Sequence, residues 1–264
     1  MSGVIGSGKS SLTKLLADSL GTKAYYEPVK DNPVLPLFYR GNKLVEEGKW
    51  KTNPYAFLLQ IYFLNTRFRS IKKAMQQDNN VLDRSIYEDN IFMKMNYEEH
   101  HTTKEEWNIY QDLLNNMMEE LPLAAHKKSP DLMIMIKVSY PTMIERIKKR
   151  GRPYEQVDKN KTLIGYYKDL LEHYSNWFEE YNESPSLVIN GDKYNFVESV
   201  KDRDNVLLTI YNKLLDLGKL DIKTYTSKIG KLGTLNPIEI VKDSFLANRL
   251  TLDEYHNSLF QLEM

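Results

Sequence analysis

A phosphate-binding pattern stands almost at the start of the chain. Residues 3–10 read GVIGSGKS, which has the spacing G-x-x-x-x-G-K-[ST]. Glycines let backbone N–H groups surround a polyphosphate, because side chains would block that approach. In such a loop Lys9 reaches the β- and γ-phosphates and the Ser10 hydroxyl binds Mg²⁺, and the helix that follows points its dipole at the anion. A nucleotide-dependent reaction is therefore favoured over a Gly/Ser turn, and the expected nucleotide-binding residues are Gly3, Gly6, Ser7, Gly8, Lys9, Ser10 and Ser11.

Two predicted strand ends carry groups suited to phosphoryl transfer. Glu27 follows the strand Ala24–Tyr26, and Asp83 and Arg84 follow the strand Asn80–Leu82. Ligands of parallel sheets bind at the carboxyl ends of the strands. A carboxylate at Glu27 can take a proton from an acceptor hydroxyl, Asp83 can orient Mg²⁺, and Arg84 can hold the acceptor. A solvated glutamate and a strand-end ion pair are the alternatives.

A basic cluster follows the central apolar strand. Arg146 and Arg150 are four residues apart and share one helix face, and Arg152 lies just past Gly151. Such a cluster can close over phosphates and neutralise the charge of the transition state. A solvated basic helix end is the alternative. The phosphate loop in the same chain favours the lid.

The helix pattern that begins at Asn53 contains two polar exceptions in an apolar stripe. Gln60 and Arg67 are seven residues apart, which places them on one helix face. Their amide and guanidinium groups can hydrogen-bond the edge of a nucleobase.

The composition restricts the partners of the chain. Its 264 residues include no cysteine, which removes disulfides and thiolate catalysis. Lys+Arg and Asp+Glu both number 36, so a basic field that would hold nucleic acid is lacking. With no apolar run of membrane-spanning length and no secretory pattern, we expect a cytoplasmic protein that binds neither membranes nor nucleic acid.

Strand and helix patterns alternate along most of the chain. The alternation predicts an α/β fold over residues 1–220, in which helices flank a parallel sheet. The last helix of this domain is predicted to begin at Val206. Residues 221–264 are predicted to form a linker, Thr224 to Thr234, and a helical hairpin that must pack on the main domain or on another chain. Because only two residues precede the loop, we expect the first strand to be truncated and the natural N-terminus to lie upstream.

These motifs, in this order, resemble those of the deoxynucleoside kinases, and most of all the bacterial deoxyadenosine/deoxyguanosine kinases of Gram-positive organisms. The likeness covers about residues 3–220. The segments that carry it are Glu27-Pro28-Val29, Asn32 to Tyr39, Phe57 to Gln60, Asn65 to Arg69, Asp83 to Asp89, and Arg146 to Arg152.

The resemblance implies a P-loop kinase fold with an arginine lid. It also implies a particular reaction. An ATP-type donor and Mg²⁺ would phosphorylate the 5′-hydroxyl of a deoxynucleoside, a purine one, for nucleotide salvage. It also implies a homodimer or larger homo-oligomer formed through a helix bundle. By family pattern the catalytic base is Glu27, with Arg84 as its partner at the 5′-hydroxyl, and the metal is held by Ser10 and Asp83. The lid consists of Arg146, Arg150 and Arg152. The nucleobase is contacted by Gln60, Arg67 and Asp89, the sugar 3′-hydroxyl is held by Tyr39 and Glu155, and Tyr166 lies near the sugar or base.

Two other functions remain open from the sequence. A nucleoside monophosphate kinase of the thymidylate-kinase type has a similar loop and lid, but it needs an extra cation for the second phosphate. A non-catalytic nucleotide sensor is disfavoured by the retention of Lys9, Glu27 and Arg84.

Overall fold

The computed structural model describes residues 1–27, 32–77, 79–125 and 129–263, and for residues 122–125 it describes the backbone only. Pro28 and Val29, which belong to the motif after Glu27, lie outside the described residues. The strands are β1 (Lys23–Tyr25), β2 (Asn80–Leu82), β3 (Met133–Lys137) and β4 (Ser186–Asn190). The helices are α1 (Lys9–Leu20), α2 (Leu35–Glu46), α3 (Tyr55–Ala74), α4 (Asp89–Glu98), α5 (Lys104–Ala125), α6 (Tyr140–Arg150), α7 (Leu163–Glu180), α8 (Val200–Asp216), α9 (Ile222–Ile229), α10 (Pro237–Leu246) and α11 (Leu252–Glu263).

Two parallel strand pairs form the sheet, and the first residues of the chain join them. β1 pairs with β2, and β3 pairs with β4. Between the pairs, the Ser2 amide donates to Ile134 O at 2.7 Å and the Met1 ammonium donates to Leu82 O at 2.8 Å. Met1 and Ser2 therefore hold the central position, where we expected a longer strand. The predicted α/β class with a parallel sheet is confirmed.

Apolar burial on both faces of β3 organises the core. Met133 to Ile136 are all buried, as expected of a strand covered by helices on each side. Leu12 of α1 and Ile210 of α8 are fully buried in the same cluster. A second cluster lies among α3, α4 and α5 and includes Leu64 and Tyr110. These two clusters hold the carboxyl end of the sheet, with its charged side chains, in place.

Local capping residues set several helix ends. The sequence places Glu106 three residues after Thr103, a spacing that predicts a capping box. The structure confirms it at the start of α5, where the two residues exchange side-chain-to-backbone hydrogen bonds at 2.8 and 3.1 Å. The predicted start of α8 at Val206 was wrong. The Ser199 hydroxyl accepts from the Asp202 amide and begins this helix at Val200, because a serine cap satisfies an otherwise unpaired N–H group.

The predicted linker from Thr224 to Thr234 was also wrong in its first half, where α9 lies. The Asp221 carboxylate accepts from the Thr224 amide at 2.9 Å and caps this helix. Tyr225 and Ile229, four residues apart, are fully buried in the core around β3. Three helices, not two, therefore follow Leu220 in the part of the chain that the structure describes, and the division of the chain near residue 220 stays a prediction.

None of the helices described is both long enough and apolar enough to cross a membrane.

Candidate active site

The phosphate loop adopts a conformation that only glycines accept easily. Gly3 and Gly8 have φ values of 139° and 101°. A Cβ atom on Gly3 would lie 2.8 Å from Ile136 O, and one on Gly8 would lie 3.0 Å from the Phe196 ring. Inside the loop, the buried Ser7 hydroxyl has no hydrogen-bond partner among the described residues. The loop is thus closely backed by protein and keeps a donor for an incoming oxygen atom.

Lys9 folds back over its own loop. Its Nζ atom donates to Gly3 O at 2.7 Å and to Val4 O at 2.9 Å, and the side chain is buried. Burial lowers the pKa of Lys9 to about 8, and the nearby Arg84 lowers it too, while Asp83 and other carboxylates oppose that shift. The approach of a polyphosphate would favour the charged form of this amine.

The loop and the end of β2 meet through a serine and an aspartate. The Ser10 hydroxyl donates to a carboxylate oxygen of Asp83. Asp83 in turn donates its amide to Tyr25 O at 2.8 Å, which holds the residue at the end of the strand pair. Two adjacent oxygen donors of this kind are the ligands that Mg²⁺ prefers.

Glu27 lies between two guanidinium groups. Its Oε1 atom accepts from Arg67 Nη2 at 2.7 Å, and its Oε2 atom is 3.4 Å from Arg84 Nε. Burial by itself would raise the pKa of this carboxyl, but Arg84, Arg67 and then Lys9 lower it to about 2. Glu27 is thus ionised at neutral pH, and the Lys9 ammonium is one of the charges that lower its pKa.

Arg67 also holds a second carboxylate. Its Nε atom donates to both oxygens of Asp89, at 2.7 and 2.6 Å, and both side chains are buried. Burial raises the pKa of Asp89 to about 6 although Arg67 lowers it. Gln60, two turns before Arg67 on α3, is buried as well. Of the three predicted nucleobase readers, the structure therefore joins Arg67 and Asp89 directly and puts Gln60 on the same helix.

Arg84 is held in a strained conformation by residues that sequence reasoning missed. Its φ value is 80°, which is rare for a residue with a side chain. Its Nη1 atom donates to the Tyr174 hydroxyl and lies 3.6 Å from Glu88 Oε2. Glu88 is fully buried and also accepts from Ser2 Oγ at 3.0 Å. The sequence signals for Glu88 were its spacing from Ser85, with which it forms a capping box, and its place in the Asp83 to Asp89 segment.

The lid arginines divide between two places. Arg146 donates to Ser7 O at 2.8 Å and to Gly191 O at 2.6 Å, so it lies against the phosphate loop. Arg150 and Arg152 instead contact Glu155, at 2.5 and 3.2 Å. The shared helix face did not bring Arg146 and Arg150 to the same partner, because Glu155 lies in the turn after the helix. The joint lid role of the three stays a prediction.

The three residues assigned to the sugar lie together. Tyr39 contacts Tyr154 with 4.4 Å between ring centroids and an angle of 30° between the ring planes. Burial raises the pKa of the Tyr39 hydroxyl, and the nearby Tyr166 and Glu155 add to that shift. Burial also raises the pKa of Tyr166, and so do Glu99 and Glu155, whereas Arg84 opposes the shift.

Two cavities lie near these residues. The smaller opens at the carboxyl ends of β1 and β2 and is lined in part by Tyr26, Glu27, Arg67, Asp83 and Arg84. The larger, about 530 Å³, lies between the amino-terminal parts of β2 and β3, and its lining is mostly apolar. Of these two cavities, the smaller is the one lined by several of the predicted site residues.

Comparison with known proteins agrees with this geometry. The family model described as deoxynucleoside kinase matches residues 1–216. A deoxyguanosine kinase of Lactobacillus acidophilus is 57% identical over 220 residues, 83% of this chain and 92% of that protein. A deoxyadenosine kinase of the same organism is 49% identical over 220 residues, 83% of this chain and 97% of that protein.

A solved structure agrees as well. The deoxyadenosine kinase of M. mycoides, with dCMP and dCDP bound, superposes with a TM-score of 0.59 at 31% identity, over 72% of this chain and 88% of that one. The resemblance drawn from the motifs is confirmed, and this chain belongs to the deoxynucleoside kinase family.

Proposed function

We propose that the protein transfers the γ-phosphoryl group of ATP to the 5′-hydroxyl of a purine deoxynucleoside, deoxyguanosine or deoxyadenosine, and so supplies the 5′-monophosphate for salvage. Two similar proteins named deoxyguanosine kinase and deoxyadenosine kinase support the purine preference. The observation that carries the mechanism is the placement of Glu27. This ionised carboxylate lies between Arg67 and Arg84 and interacts with Lys9 of the phosphate loop.

In this mechanism the acceptor binds between the two halves of the site. Glu27 takes the proton of the 5′-hydroxyl, and Arg84 holds the oxygen atom that attacks. Lys9 and the loop amides hold the donor phosphates, while Arg146, already against the loop, neutralises charge that develops on them. Positioning and charge neutralisation do most of the catalytic work in such reactions.

Ser10 and Asp83 are the residues that would hold Mg²⁺, and their adjacent oxygen atoms fit that ion. When bound, the ion supplies positive charge to the β- and γ-phosphate oxygens.

Substrate binding would be shared among the remaining groups. Gln60, Arg67 and Asp89 would contact the nucleobase, and Tyr39, Glu155 and Tyr166 the sugar. Arg150 and Arg152, which contact Glu155, would link the lid to the sugar.

The direct test is a panel of the four deoxynucleosides and their 5′-monophosphates, each with ATP and Mg²⁺, in one assay of ADP release. We expect turnover of deoxyguanosine and deoxyadenosine and little of the monophosphates. Preferential turnover of a monophosphate would favour the thymidylate-kinase type of reaction. Tight nucleotide binding without ADP release would favour a sensor.

We also propose that the enzyme is a cytoplasmic homodimer or larger homo-oligomer. Leu58 on α3 and Ile109 on α5 are 46% and 57% exposed on helices that pack together, which suits a helix-bundle interface. Light scattering of the purified protein should report a dimer, and Ile109→Glu should shift it toward monomer. Fractionation of cells tests the compartment.

A further inference from the structure

Arg67 contacts two carboxylates that belong to different parts of the reaction. Its Nε atom donates to both oxygens of Asp89 at the start of α4, and its Nη2 atom donates to Glu27 just after β1. A guanidinium is planar and its donors have fixed directions. One rigid group therefore sets the distance between the carboxylate assigned to the nucleobase and the one assigned to the 5′-hydroxyl.

The orientation of Glu27 depends on this contact more than on any other described one. Arg84 is the second cation at Glu27, but its Nε atom stays 3.4 Å away and has no hydrogen-bond partner in the part of the chain that the structure describes. Within the same part, Arg67 is the hydrogen-bond donor to Glu27. A charge at 3.4 Å favours ionisation without fixing direction, whereas a short hydrogen bond fixes direction.

Asp89 in turn determines where Arg67 can lie. Two hydrogen bonds of 2.6 and 2.7 Å to one nitrogen, in a buried setting, hold the guanidinium on the α4 side of the site. Hydrogen bonds therefore connect Asp89 to Arg67 and Arg67 to Glu27, and so link the proposed nucleobase pocket to the proposed catalytic base.

We infer that Arg67 is a positioning residue for catalysis, which orients Glu27 toward the 5′-hydroxyl and links that orientation through Asp89 to the bound nucleobase. The inference rests on the proposed role of Glu27. A nucleobase that pairs well with Asp89 and Arg67 then raises kcat as well as affinity. If Arg67 only read the nucleobase, its loss would raise KM and leave kcat unchanged.

The experiment measures kcat and KM of Arg67→Met and of the matched variant Gln60→Met, with two acceptors. Gln60 lies on the same helix and is also assigned to the nucleobase, but it has no described contact with Glu27. The acceptors are deoxyguanosine and 1,2-dideoxy-D-ribose, which keeps the 5′-hydroxyl and has no base. We expect Arg67→Met to lower kcat by about 10² for both acceptors. Gln60→Met should raise KM for deoxyguanosine and lower kcat far less than Arg67→Met does.

A pH profile provides a readout that a merely structural role would not move. The charged and titratable groups around Glu27 are Lys9 of α1, Tyr25 and Tyr26 next to it, Arg67 of α3, Asp83 and Arg84 after β2, Asp89 of α4 and Tyr174 of α7. Removing the cation at 67 makes ionisation of Glu27 less favourable, so the acid limb of kcat/KM should move to higher pH. Arg67→Lys keeps the positive charge but loses the planar guanidinium with its fixed donor directions. It should therefore lower kcat, with a smaller shift of the acid limb of the kcat/KM profile than Arg67→Met causes.

Two further variants separate the possible failures. Arg67→Met/Asp89→Asn leaves no unpaired carboxylate at position 89 and keeps the test valid if the single variant does not fold. Glu27→Gln is measured in the same assay. If Glu27→Gln keeps near-normal turnover, the proposed base is wrong. If Glu27→Gln is inactive while Arg67→Met and the double variant change only KM, with the acid limb unmoved, the base stands and the inference about Arg67 is overturned.

Discussion

Two buried polar networks occupy different regions of the molecule, and they are built from different groups. At the carboxyl end of the sheet the buried groups are ions, among them Arg67, Arg84 and Asp89. In the C-terminal helices they are neutral hydroxyls. The Tyr225 hydroxyl contacts Ser244 Oγ at 2.8 Å, and Thr226 Oγ1 donates to Ser258 Oγ at 2.9 Å.

The two networks differ in the free energy that their burial costs, and this difference indicates different roles. A buried pair of hydroxyls satisfies its hydrogen bonds at modest desolvation cost, which suits helices that need only to pack. Buried ions cost far more to desolvate, and an ion pair is weak evidence of stability. Arg84 also sits at a φ value of 80°, which costs further free energy. The ionic network, which is costly to bury, therefore coincides with the proposed active site, whereas the hydroxyl network belongs to helices that pack on the core.

The largest expected effect comes from removing the carboxylate that we propose as the catalytic base. Glu27→Gln keeps the size of the side chain and removes its ability to take a proton. We expect turnover to fall by about two to four orders of magnitude, while ATP still binds. Steady-state kinetics and nucleotide titration measure the two quantities. Turnover close to that of the wild type would remove Glu27 from this role.

A core truncation in the other region should change stability alone. Ile229 of α9 has no exposed surface, and its replacement by alanine leaves a cavity. We expect Ile229→Ala to lower the free energy of unfolding by about 2–5 kcal/mol, with kcat and KM within about twofold of the wild type. Urea denaturation and kinetics on the same sample check both. A large change in kcat would show that these helices take part in the chemistry.

A tyrosine hydroxyl can be removed from each of the two networks by substitution with phenylalanine. Tyr174→Phe deletes the hydroxyl between Arg84 and Glu88, and Tyr225→Phe deletes the hydroxyl that contacts Ser244. Each should lower the free energy of unfolding by about 1–3 kcal/mol, because a buried partner is left unsatisfied. Only Tyr174→Phe should also lower kcat. Equal kinetics in the two variants would contradict the division of roles.

The smallest expected effect is a dependence of stability on pH. Burial raises the pKa of Asp89 from 3.8 to about 6, so the folded protein holds its proton more tightly than the unfolded chain does. Its contribution to stability is therefore fully present below pH 3.8 and is lost as the pH rises through about 6. Glu27 has the opposite sign. Its pKa falls from 4.5 to about 2, so its contribution is lost only as the pH falls through about 2.

Urea denaturation between about pH 4 and pH 7 tests this for the wild type and Asp89→Asn. The difference in unfolding free energy between them should shift against the wild type as the pH rises. Thr226→Val, in the neutral network, serves as the control, because its hydroxyl does not titrate in this range. A flat difference for Asp89→Asn would show that its carboxyl is not perturbed.

Local pattern was enough to locate most elements. The capping box at Thr103 and the buried run after Leu132 correctly predicted α5 and β3. Local pattern failed where composition misled, as at α9, whose serine and lysine residues lie beside a buried Tyr225. A short helix of this kind is decided by the core that it covers rather than by its own propensity.

The sequence alone determined the chemistry that is available: the phosphate loop, the acid at Glu27 and the arginine after β2. These depend on short-range geometry, because a loop of eight residues or a strand end carries its function in its own backbone. The partners were decided only by the tertiary structure. Arg67 reaches Glu27 across 40 residues of chain, and Arg146 reaches Ser7 across 139. Such contacts form only when the sheet and two helices pack together, which no local pattern contains.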